Sequence, residues 1–234
     1  MNDYVKIPKI MHFVWLGNSK IPENLTKCMK TCYEHHPEWK KIVWTDKNIP
    51  APFFFTDEYN IDRNPARRSD LIRLQVLYNY GGLYLDTDIE CIKPIDKLME
   101  GYNFVVGTEC GYNHTEDCNQ THINNAVIAS TKRSVLVEKL INQVKENYRK
   151  INIESQSRPL DYVAHLAGPI LFNNMINEIK DNRGTKIYSA EYLYPLHYSN
   201  RLDIRKWQIP SDKTKLDEKT HTIHHFAASW YSIK

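Results

Sequence analysis

Apolar residues fall in short clusters along this chain, and their spacing switches between a strand-like and a helix-like period. Ile10 to Leu16 reads as a short strand ending at Gly17. Pro22 opens a helix in which Leu25, Cys28, Met29 and Cys32 recur at helical spacing, and Pro37 closes it. Trp39 to Trp44 is a second strand, stopped by Thr45-Asp46, and the Pro- and Phe-rich stretch from Ile49 to Pro65 reads as an irregular connection. A mostly buried helix from Ala66 to Tyr80 carries Leu71, Leu74, Val76, Leu77 and Tyr78, with Gly81-Gly82 as its stop. Further strands are expected at Phe104–Thr108 and Ala126–Ser130. Helices are expected at Ser134–Tyr148 and from Gly168-Pro169 to about Lys180. Lys186–Leu196 is strand-like, and His221–Trp230 forms a tail. Strands alternating with helices predict one α/β domain built on a largely parallel sheet. Ligands of such sheets bind beyond the carboxyl ends of the strands, where Trp15-Leu16-Gly17 and Asp86 both fall.

One apolar run breaks the pattern in an informative way. Leu83-Tyr84-Leu85 and Ile89–Ile92 flank Asp86-Thr87-Asp88, so two carboxylates interrupt a strand instead of decorating a polar loop. An unpaired carboxylate in such surroundings costs several kcal/mol or more, and a cation between the two is the natural remedy. A hard divalent ion shared by carboxylates and substrate phosphates is the usual arrangement where nucleotide diphosphates are handled. Asp70 and Arg73 lie three apart on one face of the preceding helix. Their apolar neighbours favour a partly buried pair turned toward a ligand over an exposed ion pair. These features make the chain a candidate nucleotide-sugar enzyme.

The composition narrows the field without naming a chemistry. The 234 residues, 41% hydrophobic and 25% charged, describe an ordinary globular protein, and a net charge of +3 is too small to point to nucleic acid. The basic clusters are local, at Lys132-Arg133 and Arg201 through Lys206. No apolar run approaches the roughly 20 residues that cross a bilayer. The N-terminus lacks a signal-peptide core, so a cytoplasmic location is expected, with room for peripheral contact at the inner membrane face. Five cysteines argue against a disulfide framework. Cys28 and Cys32 read as packing residues, and the spacing in the His-rich loop between Cys110 and Cys118 matches no zinc pattern. His197, His221 and His224 receive no role. Asn125 is a candidate sugar contact and Asp161 a candidate acceptor contact.

Several motifs together resemble a known family. They are the opening Ile7–Gly17 segment, Ser69-Asp70-Leu71-Ile72-Arg73, Gly81-Gly82-Leu83-Tyr84-Leu85-Asp86-Thr87-Asp88 and the closing His224-His225-Phe226-Ala227-Ala228-Ser229-Trp230. They resemble the glycosyltransferases with a DXD sugar-binding region (glycosyltransferase family thirty-two), which include fungal mannosyltransferases and bacterial capsular-polysaccharide transferases. A more distant similarity extends to the glucosylating domain of the large clostridial toxins. The resemblance implies a GT-A type fold, Rossmann-like with a largely parallel mixed sheet flanked by helices. It also implies a nucleotide-sugar donor, a UDP-sugar by preference, a glycan or lipid-linked acceptor, manganese or magnesium, and retention of anomeric configuration.

Residue by residue, the resemblance assigns Val14 and Trp15 to the donor, with Trp15 stacked on the base, although Trp15 alone fits a core position as well. Asp70 and Arg73 contact ribose, sugar and phosphates, and Tyr84 lies on the donor side. Asp86 serves ribose and the metal's water shell, Asp88 binds the metal, His225 is a further metal ligand, and Ser229 with Trp230 closes over the diphosphate. The chain then divides into a donor- and metal-binding part (1–100), an acceptor and sugar part (101–220) and a lid (221–234). A front-face reaction is the more natural route to retention, with double displacement still open. A glycoside hydrolase is disfavoured, because Asp86 and Asp88 are too close in sequence to flank a scissile bond at ~5–9 Å. A non-catalytic binding module would not need both the metal triplet and the arginine. A toxin-type enzyme acting on a protein would share the same donor half.

Overall fold

The computed structural model describes residues 6–110, 121–150, 165–178, 184–196 and 216–227. Strand β1 (Ile10–Val14) leads to helix α1 (Glu23–His35), which buries Leu25, Cys28, Met29 and Cys32, the four residues its spacing selects. After β2 (Lys40–Trp44) comes a short helix, α2 (Thr56–Ile61), inside the stretch expected to be irregular. It buries none of its residues, so no apolar period marks it in the sequence. Helix α3 (Pro65–Tyr80) starts where Asn64 accepts the backbone N–H groups of Ala66 and Arg67, with proline at the first helical position. Next follow β3 (Gly82–Leu85), β4 (Ile89–Cys91), α4 (Asp96–Met99), β5 (Phe104–Cys110) and β6 (Thr121–Ser130). Helices α5 (Val135–Arg149) and α6 (Pro169–Glu178), strand β7 (Thr185–Tyr188), helix α7 (Ala190–Leu193) and strand β8 (Thr222–His224) complete the described elements.

Among the described residues, six strands form one sheet in the order β2-β1-β3-β6-β5-β7. β1 is parallel to β2 and β3, and β5 is parallel to β7. β6 runs antiparallel to both of its neighbours, so five strands point one way and one opposes them. Side chains alternate across this sheet and sort into two cores. Tyr84, Val106 and Ile128 face the layer that holds Leu71, Leu74, Leu140 and Phe172. Met11, Phe13, Leu83, Leu85 and Val127 face the layer that holds Met29, Ile89 and Leu98. A separate two-stranded sheet pairs β4 with β8, His224 lying opposite Ile89 and Thr222 opposite Cys91.

Three expectations about elements change. β5 and β6 are longer than the apolar runs suggested, because polar residues such as Glu109, Asn124 and Asn125 continue them while remaining buried. Lys186–Leu196 divides into β7 and α7 instead of forming one strand. The tail contributes a strand through β8. The double glycine has a steric purpose as well as stopping a helix. Gly82 has φ +103°, and a Cβ there would stand 2.4 Å from the Ile10 carbonyl oxygen, so only glycine lets β3 enter beside β1.

Candidate active site

Parallel β1 and β3 end at the same edge of the sheet, and this edge carries the polar cluster. Arg73 projects from α3 into its centre. Its Nη1 donates to Asp70 Oδ1 at 2.5 Å, and its Nη2 donates to Asp86 Oδ1 at 2.7 Å and to the Tyr84 hydroxyl at 3.1 Å. The guanidinium also lies over the Tyr84 ring, 4.4 Å from its centre. The Tyr84 hydroxyl in turn donates to Asp86 Oδ1 at 2.6 Å, and Asn125 Nδ2 donates to Asp70 Oδ1 at 3.1 Å. Asn125 reaches this cluster from β6, whose Ala126 carbonyl accepts the Asp86 N–H. The antiparallel strand thus brings its amide beside the helix pair.

One cation here serves two carboxylates in a dry setting. Burial pushes the Asp70 carboxyl up to about 7, with Arg73 opposing the rise and the Asp86 charge adding to it. Burial would weaken the Arg73 proton, but Asp86, Tyr84 and Asp70 outweigh it and hold the guanidinium charged. Burial likewise raises the Tyr84 hydroxyl, keeping it a donor to Asp86. The Asp86 side chain is 29% exposed while that of Arg73 is 4% exposed, so the cluster meets a ligand through Asp86.

Asp86, Asp88 and His224 each offer a ligand atom, all within 4.8 Å of one another, and form a possible metal site. The small β4–β8 sheet builds it, with the Asp88 carbonyl accepting the His225 N–H and Asp88 Oδ2 accepting the Ala227 N–H at 2.7 Å. His224 Nε2 lies 3.5 Å from Asp88 Oδ2. Burial alone would raise Asp88, but His224 and the Ala227 N–H bring it below the usual carboxylate range. Burial would lower His224, yet Asp88 lifts it above its ordinary value. The pocket therefore attracts positive charge. The Nδ1 of His224 is buried with no hydrogen-bond partner, which leaves the ring a nitrogen free to ligate. Two carboxylates and an imidazole fit a divalent cation.

The histidine differs from the one the resemblance assigned. His225 was expected at the metal, but its Nε2 sits 3.0 Å from Glu90 Oε2, deep in the protein. β8 ends at His224, which lies beside Asp88, while His225 just past the strand reaches Glu90. Nothing in a His-His dipeptide says which goes where. Trp15 extends β1 through its N–H to the Trp44 carbonyl, is partly exposed, and donates its indole N–H to the Ser19 carbonyl at 2.7 Å. Val14 packs its side chain in the core with Trp44 and Leu16, which leaves only its main chain to meet a donor. Ser229, Trp230 and Asp161 lie outside the described residues. Sequence reasoning also missed Glu109, a buried acid on β5 whose charge raises both His224 and Tyr194. An acid three positions beyond the apolar run Phe104–Val106 was its one available signal.

Residues 22–105 match the family model described as a glycosyltransferase sugar-binding region containing a DXD motif. The mixed, mainly parallel sheet flanked by helices is the GT-A fold. The chain is 36% identical over 108 residues to inositol phosphoceramide mannosyltransferase 3 of Schizosaccharomyces pombe, covering 42% of this chain and 29% of that enzyme. It is 32% identical over 159 residues to inositol phosphoceramide mannosyltransferase 1 of the same yeast, covering 62% of this chain and 45% of that enzyme. The match spans less than half the length of either relative. The UDP-bound glycosyltransferase domain of the YGT toxin shares the fold, with a TM-score of 0.54 at 10% identity over 79% of this chain and 80% of that domain.

Proposed function

We propose that this chain is a metal-dependent, retaining glycosyltransferase that moves a sugar from a UDP-sugar to a glycan or glycolipid acceptor. The observation that carries this reading is the Asp70–Arg73–Tyr84–Asp86 network joined through Asp86 to the Asp88–His224 pair, at the edge where β1 and β3 end. Asp86, Asp88 and His224 would hold a divalent ion, manganese or magnesium, which would supply Lewis acidity toward a leaving diphosphate. The nitrogen ligand favours manganese over magnesium. Trp15 offers a ring to the base, Arg73 holds a fixed cation where negative charge develops, and Asp70 with Asn125 addresses the sugar. Ser229 and Trp230 complete the diphosphate contacts. Asp70 and Asp86 both hydrogen-bond Arg73, which blunts each as a nucleophile and favours a front-face reaction. With a glycolipid acceptor the chain works as a peripheral protein at the cytoplasmic face of a membrane.

The decisive measurement is donor binding and turnover with the ion present and absent. A panel of nucleotide sugars with manganese, scored by slow donor hydrolysis, names base and sugar together. Calorimetry should show UDP affinity collapsing with chelator and in Asp88→Asn. Equal binding in excess chelator overturns the metal role, and no hydrolysis or binding of any nucleotide sugar overturns the enzyme. A protein acceptor is the second reading, favoured by the likeness to a toxin domain. Labelled donor offered to lipid extract and to proteins separates the two by where the label arrives.

A further inference from the structure

Behind the candidate metal site lies a second buried cluster, made of thiols. Cys32 on α1 and Cys91 at the end of β4 are 0% and 1% exposed, and their sulfurs stand 2.6 Å apart. That separation is about half an ångström longer than the ~2.05 Å of a disulfide bond. The two backbones are already held together around the pair. The Cys91 N–H donates to Thr31 Oγ1 at 2.9 Å, and the Cys32 thiol donates to the Ile89 carbonyl at 3.4 Å. Cys28 is buried one turn earlier on α1 and close enough to influence Cys91.

We infer that Cys32 and Cys91 are a disulfide-forming pair, a modification site that ties α1 to the strand following Asp88. The reaction is exchange with a small-molecule disulfide. One protein thiol, as its thiolate, attacks a sulfur of the reagent and expels a thiol. The second protein thiol, losing its proton, attacks the mixed disulfide and expels the other. The protein loses two protons and two electrons, and the reagent is reduced to two thiols. Both sulfurs are shut away from solvent and burial holds the Cys91 thiol protonated, so the bond forms as the chain folds or during an opening that exposes β4. Once made, it closes a loop between residues 59 positions apart and anchors the strand against which β8 brings His224.

The test uses the wild-type chain, refolded from urea in oxidised or reduced glutathione, then denatured and alkylated. The oxidised sample should show two fewer reactive thiols of the five cysteines, with a non-reduced digest yielding one peptide pair, Cys32 with Cys91. Its melting temperature should exceed that of the reduced sample by about 5 °C or more. Cys28→Ser should keep the cross-link. Five alkylated thiols in the oxidised sample, a glutathione adduct in place of the cross-link, or a bond to Cys28 each overturn the inference. The wild-type measurement decides even if Cys91→Ser fails to fold.

Discussion

At the scale of single residues, the molecule is governed by charges and polar atoms held away from water. Arg73 is buried between two carboxylates, and removing it leaves both without their cation. Arg73→Ala should cost about 3–5 kcal/mol in urea unfolding, as for other broken buried pairs. Arg73→Lys restores charge without the two-pronged geometry, so it should recover only part of that loss. His12 offers a pH-dependent counterpart at the C-terminal end of α3. Its Nδ1 accepts the Trp44 indole N–H and its Nε2 donates to the Gly81 carbonyl, an arrangement that requires the neutral ring. Burial lowers it from 6.5 to about 4, the Gly81 bond opposing and Lys40 assisting. A base whose folded value is depressed binds protons more readily when unfolded. Its stabilisation is therefore present above pH 6.5 and is lost as the pH falls toward 4. Asp70, raised to about 7, slopes the opposite way, so wild-type stability alone would hide both effects. The gap between wild type and His12→Gln removes this ambiguity and should widen by about 2 kcal/mol from pH 5 to pH 7. A gap that stays constant across this range would mean that His12 binds its proton equally readily in the folded and the unfolded chain.

Elements bring these residues together, and here the steric demands on the backbone are sharpest. Gly17 and Gly82 both have positive φ, but a Cβ at Gly17 meets nothing within 4 Å while one at Gly82 meets Ile10 at 2.4 Å. Gly17→Ala should cost about 1 kcal/mol for conformation alone, and Gly82→Ala at least about 2 kcal/mol more for the clash between β1 and β3. Similar urea midpoints for the two variants would mean that β3 can shift away from Ile10 cheaply. The sequence revealed α1 through buried residues at helical spacing and α3 through its run of buried apolar residues and its glycine stop. It concealed α2, which buries nothing, and the first half of β6, where Asn124 and Asn125 break the apolar alternation, Asn125 reaching Asp70 in the site and Asn124 accepting the Ala126 N–H. Asp70, Arg73, Tyr84 and Asp86 were legible through their spacing and the motif around them and Asn125 only as a separate candidate sugar contact, and the structure gathers all five into one hydrogen-bonded network. Which histidine faces Asp88 was not legible, since strand register is a tertiary property. His224→Gln should weaken manganese-dependent UDP binding at unchanged fold. His225→Gln should chiefly lower stability, by about 1–3 kcal/mol, through its bond to buried Glu90. Equal loss of metal-dependent binding in both would return His225 to the ion.

For the molecule as a whole, the position of β8 along the chain carries a kinetic consequence. The β1–β2 ladder joins Ile10 to Lys40, whereas the β4–β8 contacts link Glu90 to a residue 135 positions later. Closing the longer loop costs about 1 kcal/mol more in chain entropy, and the small sheet repays it with three residue pairs. Its pairing should thus be among the last contacts made on the way to the native state, after α3 has packed on the sheet. Ile223, 1% exposed in the middle of β8, reports on this step. Ile223→Ala should destabilise by about 2–5 kcal/mol, with nearly all of the change in the unfolding rate and little in the folding rate. Leu71→Ala, in α3, should slow folding measurably. Stopped-flow chevrons give both rates, and an Ile223→Ala chain that folds as slowly as Leu71→Ala would put β8 in the nucleus. Late docking means that folding intermediates hold Asp86 and Asp88 without the His224 imidazole, so the candidate metal site is assembled only in the final folding step.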